Sequence, residues 1–517
     1  LTGAPALPSP ALASSALASA EASAPPLTLE ATLPAKAAEG LTRATPIAAR
    51  RIGRAQGVAL GLTWLDTGDA TLAGQGLALE QPRRGPRRLL RTLPAPQAPW
   101  RPGSPPELLE TIGAGRAPDQ AEGEPLLPVA GFAGTATRFA LADGVAALLL
   151  KGRLRAVAGE APVARLTLGG PPAAVIATMR ALAEDLPLLP PRAALAEDAR
   201  ALARGQAPAP RRLGPPLLDP DLGTEDALVL ALGHLTEVLL WHAPAAEAGR
   251  TPEGVHQMRV AMRRLRSVLR VFRPACDGPS LRGFDARLRE LAALLGPARD
   301  WDVWLGGLGA EIEAALPGEP RIAALLRAAR QTRDAAYAAL RPALQGPALR
   351  RIAWDAVALV ETRPWRTEGD AEAAARREAP IEAFAAGVLG KRWRRIEEAG
   401  EGIGDLPDAE FHALRIEAKR MRYAAELFAP LWGRKRVRRF LDRLAEVQEA
   451  FGLANDAVVA HALMASLADR AGRENAEIAW AGGVAEGWAL ARARRARAKA
   501  SAAWEELLRG EIYWNQY

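Results

Sequence analysis

Two textures of apolar spacing divide the chain. From about Leu27 to Pro190 short apolar runs recur between Gly and Pro, as at Leu27–Leu33, Val58–Leu65, Ala146–Leu150 and Ala164–Leu168. Runs of that length between breakers predict short strands and turns, with one helix over Ala173–Glu184. Residues 205–220 hold Gly205, Pro208, Pro210, Pro215, Pro216 and Pro220, the composition of a linker. From Gly223 onward, Ala/Leu/Arg/Glu segments place apolar residues at helical spacing. They predict helices over 224–243, 252–272, 280–295, 300–316, 320–341, 345–361, 371–399, 408–428, 433–451, 456–471 and 474–508. Thr251-Pro-Glu and Leu406-Pro-Asp supply start signals ahead of two of these helices.

Those two helices carry the same pattern. The first reads His256-Gln-Met-Arg259-Val-Ala-Met-Arg263-Arg264-Leu-Arg266, and the second His412-Ala-Leu-Arg415-Ile-Glu-Ala-Lys419-Arg420-Met-Arg422, at an offset of 156 positions. The same offset pairs Arg282 with Arg438, Arg287 with Arg443, Glu290 with Glu446, Gly296 with Gly452 and Asp300 with Asp456, a gapless register over some 45 positions. It predicts an internal duplication: a pair of helical bundles, each of four to six helices.

At 100° per residue, Arg259, Arg263, Arg266, Arg270 and Arg273 share an arc of about 100° with His256, while Met262, Leu265, Leu269 and Phe272 cluster on another face. No Asp or Glu lies between His256 and Cys276, so nothing on the helix itself relieves the repulsion. The second copy repeats the stripe with His412, Arg415, Lys419 and Arg422. Glu417 projects away from it and Glu426 continues it. The next helices add Arg282 and Arg287 in one repeat, and Arg438, Arg439 and Arg443 in the other, beside Arg434, Lys435 and Arg436. Duplicated stripes without counter-charges point to anion binding, and an array of guanidinium groups suits a polyanion better than one phosphate. His256 and His412 fit either a donor to the ligand or a helix-start residue that packs and bonds backbone. Gly296 and Gly452 are expected to end helices, with Asp300 and Asp456 capping the next ones or bracing the basic helix.

Charge and composition agree with this picture. The chain of 517 residues is 49% hydrophobic, with a net charge of +8 and a pI of about 10.1. Its length predicts two or three domains, and its charge an anionic partner. Cys276 is the one cysteine, which rules out an internal disulfide framework and a thiolate metal cage and fits a reducing compartment. No apolar run approaches the roughly 20 residues of a membrane span. Residues 1–26, dominated by Ala, Ser and Pro, read as a disordered leader rather than a signal peptide. His234, His242 and His461 show no metal-ligand spacing, and no G-x-x-x-x-G-K-[ST] or H-E-x-x-H motif occurs.

The histidine segments, with Leu295-Gly296-Pro-Ala-Arg299-Asp300-Trp-Asp302 and Phe451-Gly452-Leu-Ala-Asn455-Asp456, closely resemble the conserved histidine α-helical domain, CHAD, over about residues 224–510. The resemblance implies two four-helix bundles related by a pseudo-twofold axis, histidine helices lining a basic central pore or cleft, and inorganic polyphosphate as ligand. Some members associate with polyphosphate granules. Residues 27–200 are similar to a degenerate CYTH domain, the triphosphate tunnel fold, at Thr63-Trp64-Leu65-Asp66-Thr67-Gly68-Asp69, Leu72-Ala-Gly-Gln-Gly76-Leu-Ala-Leu79 and Thr135-Ala-Thr137-Arg138. That family's signature is a strand with Glu-x-Glu-x-Lys and a later strand of alternating glutamates, whose carboxylates hold divalent metals. Here the strands read Thr28-Leu-Glu30-Ala-Thr32 and Val163-Ala-Arg165-Leu-Thr167-Leu, so a single carboxylate remains where two metals would sit.

The expectation is therefore a multi-domain α+β protein. A leader (1–26) and an antiparallel β-barrel or tunnel-like domain (27–200) precede a linker (201–223) and an all-α domain (224–517). The all-α domain consists of two pseudo-twofold-related bundles, repeat one about 224–341 and repeat two about 380–508. The expected function is polyphosphate binding without catalysis, metal or cofactor, in the cytoplasm and at granules. The site would comprise His256, Arg259, Arg263, Arg266, Arg270, Arg282, Arg287, His412, Arg415, Lys419, Arg422, Arg438, Arg439 and Arg443. The alternatives are an inorganic triphosphatase acting through the first domain, and a nucleic-acid binder. Against the latter, the basic helices carry few aromatics besides Tyr423.

Overall fold

The structure, a computed structural model, describes residues 25–93, 101–113, 115–368, 370–471 and 475–514. The expected leader thus lies almost wholly outside the described residues. Two compact units divide the chain. The first takes residues up to Gly214 with Thr236–Trp241 and Gln345–Pro364, and the second takes the rest.

The first unit is built on eight antiparallel strands: β1 (Leu27–Thr32), β2 (Arg51–Asp66), β3 (Leu77–Pro82), β4 (Arg87–Arg91), β5 (Glu107–Ile112), β6 (Leu127–Leu141), β7 (Ala146–Ala156) and β8 (Gly159–Gly170). Their order is β1-β8-β7-β6-β2-β3-β4-β5, a half-barrel compatible with a CYTH-like domain. Alternate residues face opposite sides of the sheet. Leu29 and Ala31, Leu149, Leu166 and Leu168 pack against Val175, Met179 and Leu182 of helix Pro172–Asp185 and against Trp354 and Val357 of helix Pro347–Thr362. On the other face Leu62, Trp64, Phe132 and Leu154 pack on Ala196 and Ala199 of helix Leu195–Ala203. Cover on both faces explains why the strands read as apolar runs rather than strict alternation.

Buried ion pairs tie the helix Leu195–Ala203 into the inner face. Arg200 meets Asp66 at 3.1 Å with both side chains 2% exposed, and Arg165 pairs with Asp198 as well as with Glu30. Asp66 also accepts from the amides of Leu72 (2.9 Å) and Ala73 (3.0 Å), which satisfies two donors at the start of a short helical turn. On the outer face Arg350 donates to the carbonyls of Ala183 (2.6 Å) and Glu184 (3.0 Å), which the end of helix Pro172–Asp185 leaves without helical partners.

The second unit is helical. Its long helices are Glu253–Phe272, Pro279–Trp304, Pro320–Gln345, Ile381–Ala399, Asp408–Phe428, Arg434–Ala471 and Ala476–Leu508. Four expectations need correction. Gly296 and Gly452 do not end helices: Pro279–Trp304 runs through Gly296 and Pro297, and Arg434–Ala471 runs through Gly452. The buried Leu291, Leu295, Ala298 and Trp301 hold the first of these helices together across its two weak helix formers, so packing overrides propensity. Asp300 consequently caps nothing. Conversely, the single helix expected over 371–399 is two, Ala371–Glu378 and Ile381–Ala399, because Pro380 biases its predecessor away from the helical region. Helix Thr224–Ala248 also proves long and apolar enough by composition to cross a membrane, as does Arg434–Asp469. In the former, 83% of the apolar window is buried inside the fold.

The duplication is visible in the packing. Phe272 and Phe428 are 156 positions apart, and their rings lie 6.0 Å apart. Two residues equivalent in the repeat can touch only near the axis that relates the copies. The two histidine helices, Glu253–Phe272 and Asp408–Phe428, therefore pack against each other at an equivalent position of the repeat.

Candidate functional site

Arg263 and Lys419 are also repeat equivalents, and they too come together. They line one cavity of about 360 Å³ in the helical unit. The first histidine helix supplies His256, Arg259 and Arg263, and the second supplies Arg415 and Lys419. Arg299 and Asp300 enter from helix Pro279–Trp304, and Arg492 from helix Ala476–Leu508. Six cations thus face two carboxylates, Asp300 and Glu311, a balance of +4 before His256 is counted. The remaining wall is apolar, with Val303, Trp304, Leu308, Val459 and Ala489.

The local fold explains these positions. Trp301, Trp304 and Leu308 are buried against Ala460, Met464 and Ala485, which clamps the two repeats together beneath the cations. Between Trp304 and Ala310 the backbone widens into a π-helical turn, Leu305–Gly309, and Gly307 of that turn lines the cavity. Such turns gather at functional sites, where they aim backbone into a cavity. Gly296 lies beside the first histidine helix: a Cβ there would touch the Arg259 guanidinium at 3.4 Å.

Cations outnumber carboxylates inside the cavity, and their electrostatics show it. Burial, followed by Arg415, Arg263 and Arg259, pushes the Lys419 ammonium down to about 8. Burial, with Arg299 next in weight, holds the His256 imidazole below its ordinary value against the opposing pull of Glu253. Burial also lowers Arg259 and raises Asp300, while the two attract each other. The brace between Asp300 and the basic helix is thus electrostatic. Arg263 lies over the Tyr423 ring at 4.9 Å, and Arg492 bonds Glu311 at 2.7 Å. Desolvated cations that repel one another describe a site prepared for negative charge.

Comparison with known proteins bears on the fold of this unit. The CHAD domain family model matches residues 230–465. The crystal structure of the CHAD domain from the plant Ricinus communis is 29% identical with a TM-score of 0.51, over 59% of this chain and 98% of that one. The chain contains a CHAD domain. A second solved structure, PptA from Streptomyces chartreusis, is 21% identical with a TM-score of 0.41, over 55% of this chain and 100% of that one. A search of curated proteins gave no match.

Within the CHAD domain the other expected site residues lie apart from the cavity. His412 is exposed and does not line it. Arg266 bonds Asp285 at 2.9 Å, Arg282 forks onto Asp277 at 2.8 and 3.1 Å, and Arg422 bonds Glu426 at 2.6 Å. Arg270 belongs to a second basic group with Arg420 and Arg392, and burial there pushes Arg392 down to about 10. Arg287 is half-buried on the helix Pro279–Trp304. Arg438 pairs loosely with Asp442 (3.7 Å), Arg443 with Glu506 (3.8 Å), and Arg439 is exposed. Two cavity cations, Arg299 and Arg492, were not anticipated. The repeat register pairs Arg299 with Asn455, so a search for matched cations passes over it.

Proposed function

We propose that the CHAD domain binds inorganic polyphosphate in the cavity between the two histidine helices. The carrying observation is the convergence of six cations from four helices, drawn from both repeats, around two carboxylates. Guanidinium groups match phosphate oxygens bidentately, and their arrangement around an open cavity suits a repeating anion. Arg259, Arg263, Arg299, Arg415, Lys419 and Arg492 are the proposed contacts, with His256 as a donor. Such binding takes no sequence information from its ligand and falls steeply with salt.

The pH dependence provides a test. Free Lys419 titrates near 8, and a bound polyanion raises that value because it favours the charged form. Above pH 8 the complex therefore holds more protons than the free protein, and affinity falls as pH rises from 8 toward 10. Titration calorimetry with long-chain polyphosphate at several pH values should show this fall together with proton uptake on binding. Lys419→Arg should flatten the profile while it preserves binding. An unchanged affinity across that range in the unaltered protein would remove Lys419 from the site.

A further inference from the structure

The inner face of the half-barrel holds a second, larger cavity, of about 630 Å³, within the range of small-molecule sites. Its walls are mainly aliphatic: Leu60 and Leu62 of β2, Leu148 and Leu150 of β7, and Leu195 of the helix that packs on this face. The buried charged groups in the wall are paired with one another, while Trp64 Nε1 is left without a hydrogen-bond partner among the described residues. Glu80 meets Arg88 at 2.6 Å across β3 and β4, and Glu30 meets Arg165 at 3.1 Å across β1 and β8. Burial raises both carboxyl groups above their ordinary range, with the paired arginines opposing it. Neither carboxylate is therefore available to a metal without abandoning its arginine.

Charge in the lining is nonetheless unbalanced. Five arginines (Arg83, Arg84, Arg88, Arg138 and Arg165) stand against Glu30 and Glu80, a balance of +3. Arg83 and Arg84 are exposed residues of the lining, so they mark its solvent side, and neither has an ion pair among the described residues. A multiply charged inorganic anion drawn inward would lose its water against leucines that cannot replace it. A neutral apolar molecule would leave the two outer arginines unused. We propose that this cavity binds a fatty carboxylate, with the acyl chain along the leucine wall and the carboxylate at Arg83 and Arg84. Guanidinium groups meet a carboxylate through paired hydrogen bonds, and the chain gains by leaving water.

The test is calorimetry on the full chain with dodecanoate below its micelle concentration. One-to-one saturable binding is expected. Decanoate should bind roughly tenfold more weakly, as expected for the loss of two buried methylenes. Dodecyltrimethylammonium, with the same chain and opposite charge, should bind more weakly still. Arg83→Glu with Arg84→Glu changes exposed residues and should cost dodecanoate at least tenfold in affinity, and Leu60→Trp should block the cavity. Denaturant unfolding of both variants serves as the check on folding, since the substitutions lie in the first unit. The proposal is overturned by an absence of saturable binding, by equal affinity for the cationic chain, by full retention in both variants, or by displacement of dodecanoate by tripolyphosphate.

Discussion

Reversing four cations of the CHAD cavity (Arg259→Glu, Arg263→Glu, Arg415→Glu and Lys419→Glu) is expected to weaken long-chain polyphosphate binding by about a thousandfold or more. Hydrogen bonds to charged groups contribute about 1.5–3 kcal/mol each, and every reversal also replaces attraction by repulsion. The four positions come from both histidine helices, so no half-site survives. The salt dependence should shrink in parallel, since the slope of log affinity against log salt counts neutralised phosphates. The reversal turns the cavity's balance of +4 into −4, so like charges still repel in a buried site and folding needs its own check. Circular dichroism checks that point, and equilibrium binding at several salt concentrations checks the rest. Arg438→Glu with Arg439→Glu, on the neighbouring helix and outside the cavity, should cost far less. A quadruple variant that still held polyphosphate at physiological salt would show that the ligand sits elsewhere.

Much of this site was legible before any fold was known, for a definable reason. A duplicated helix must be symmetric about some axis, so matched residues such as Arg263 and Lys419 are the ones that can meet. Phe272 and Phe428 obey the same rule in the core. The rule fails for residues without a counterpart. Arg492 belongs to the last long helix and reaches the cavity only through tertiary packing. The converse error concerns Arg266, Arg282 and Arg422. The acids of Arg266 and Arg282 lie off their own helices, Asp285 on the next helix and Asp277 in the connecting turn, whereas the acid of Arg422 is Glu426, four residues on along the same stripe. Glycine was the other blind spot. A glycine inside a helix looks like a stop, whereas the helices here run through both Gly296 and Gly452. In the first unit, the loss of the glutamate strand was readable from Arg165, but its pairing with Glu30 across β1 and β8 needed the register.

Gly254→Ala should cost about 3 kcal/mol, the upper end of what overpacking usually costs, and should weaken polyphosphate binding although Gly254 meets no ligand. Gly254 opens the first histidine helix where that helix crosses the end of helix Thr224–Ala248. A Cβ there would lie 2.3 Å from the Ala246 amide nitrogen and 2.4 Å from the Ala245 carbonyl carbon. Both are backbone atoms, so no rotamer change relieves the clash and one helix must shift. His256 and Arg259 follow within two turns and move with it, which misaligns them against Arg415 and Lys419. The contrast is Gly283→Ala. That glycine lies inside helix Pro279–Trp304, and an added Cβ would meet only the Arg287 guanidinium at 3.8 Å. Gly283→Ala should stabilise by about 0.5–1 kcal/mol through helix propensity. Denaturant unfolding followed by helical circular dichroism compares the two variants, and calorimetry with polyphosphate reads the coupling to the site. If Gly254→Ala matched the unaltered protein in both measurements, the close crossing would not be what sets the histidine helix in place.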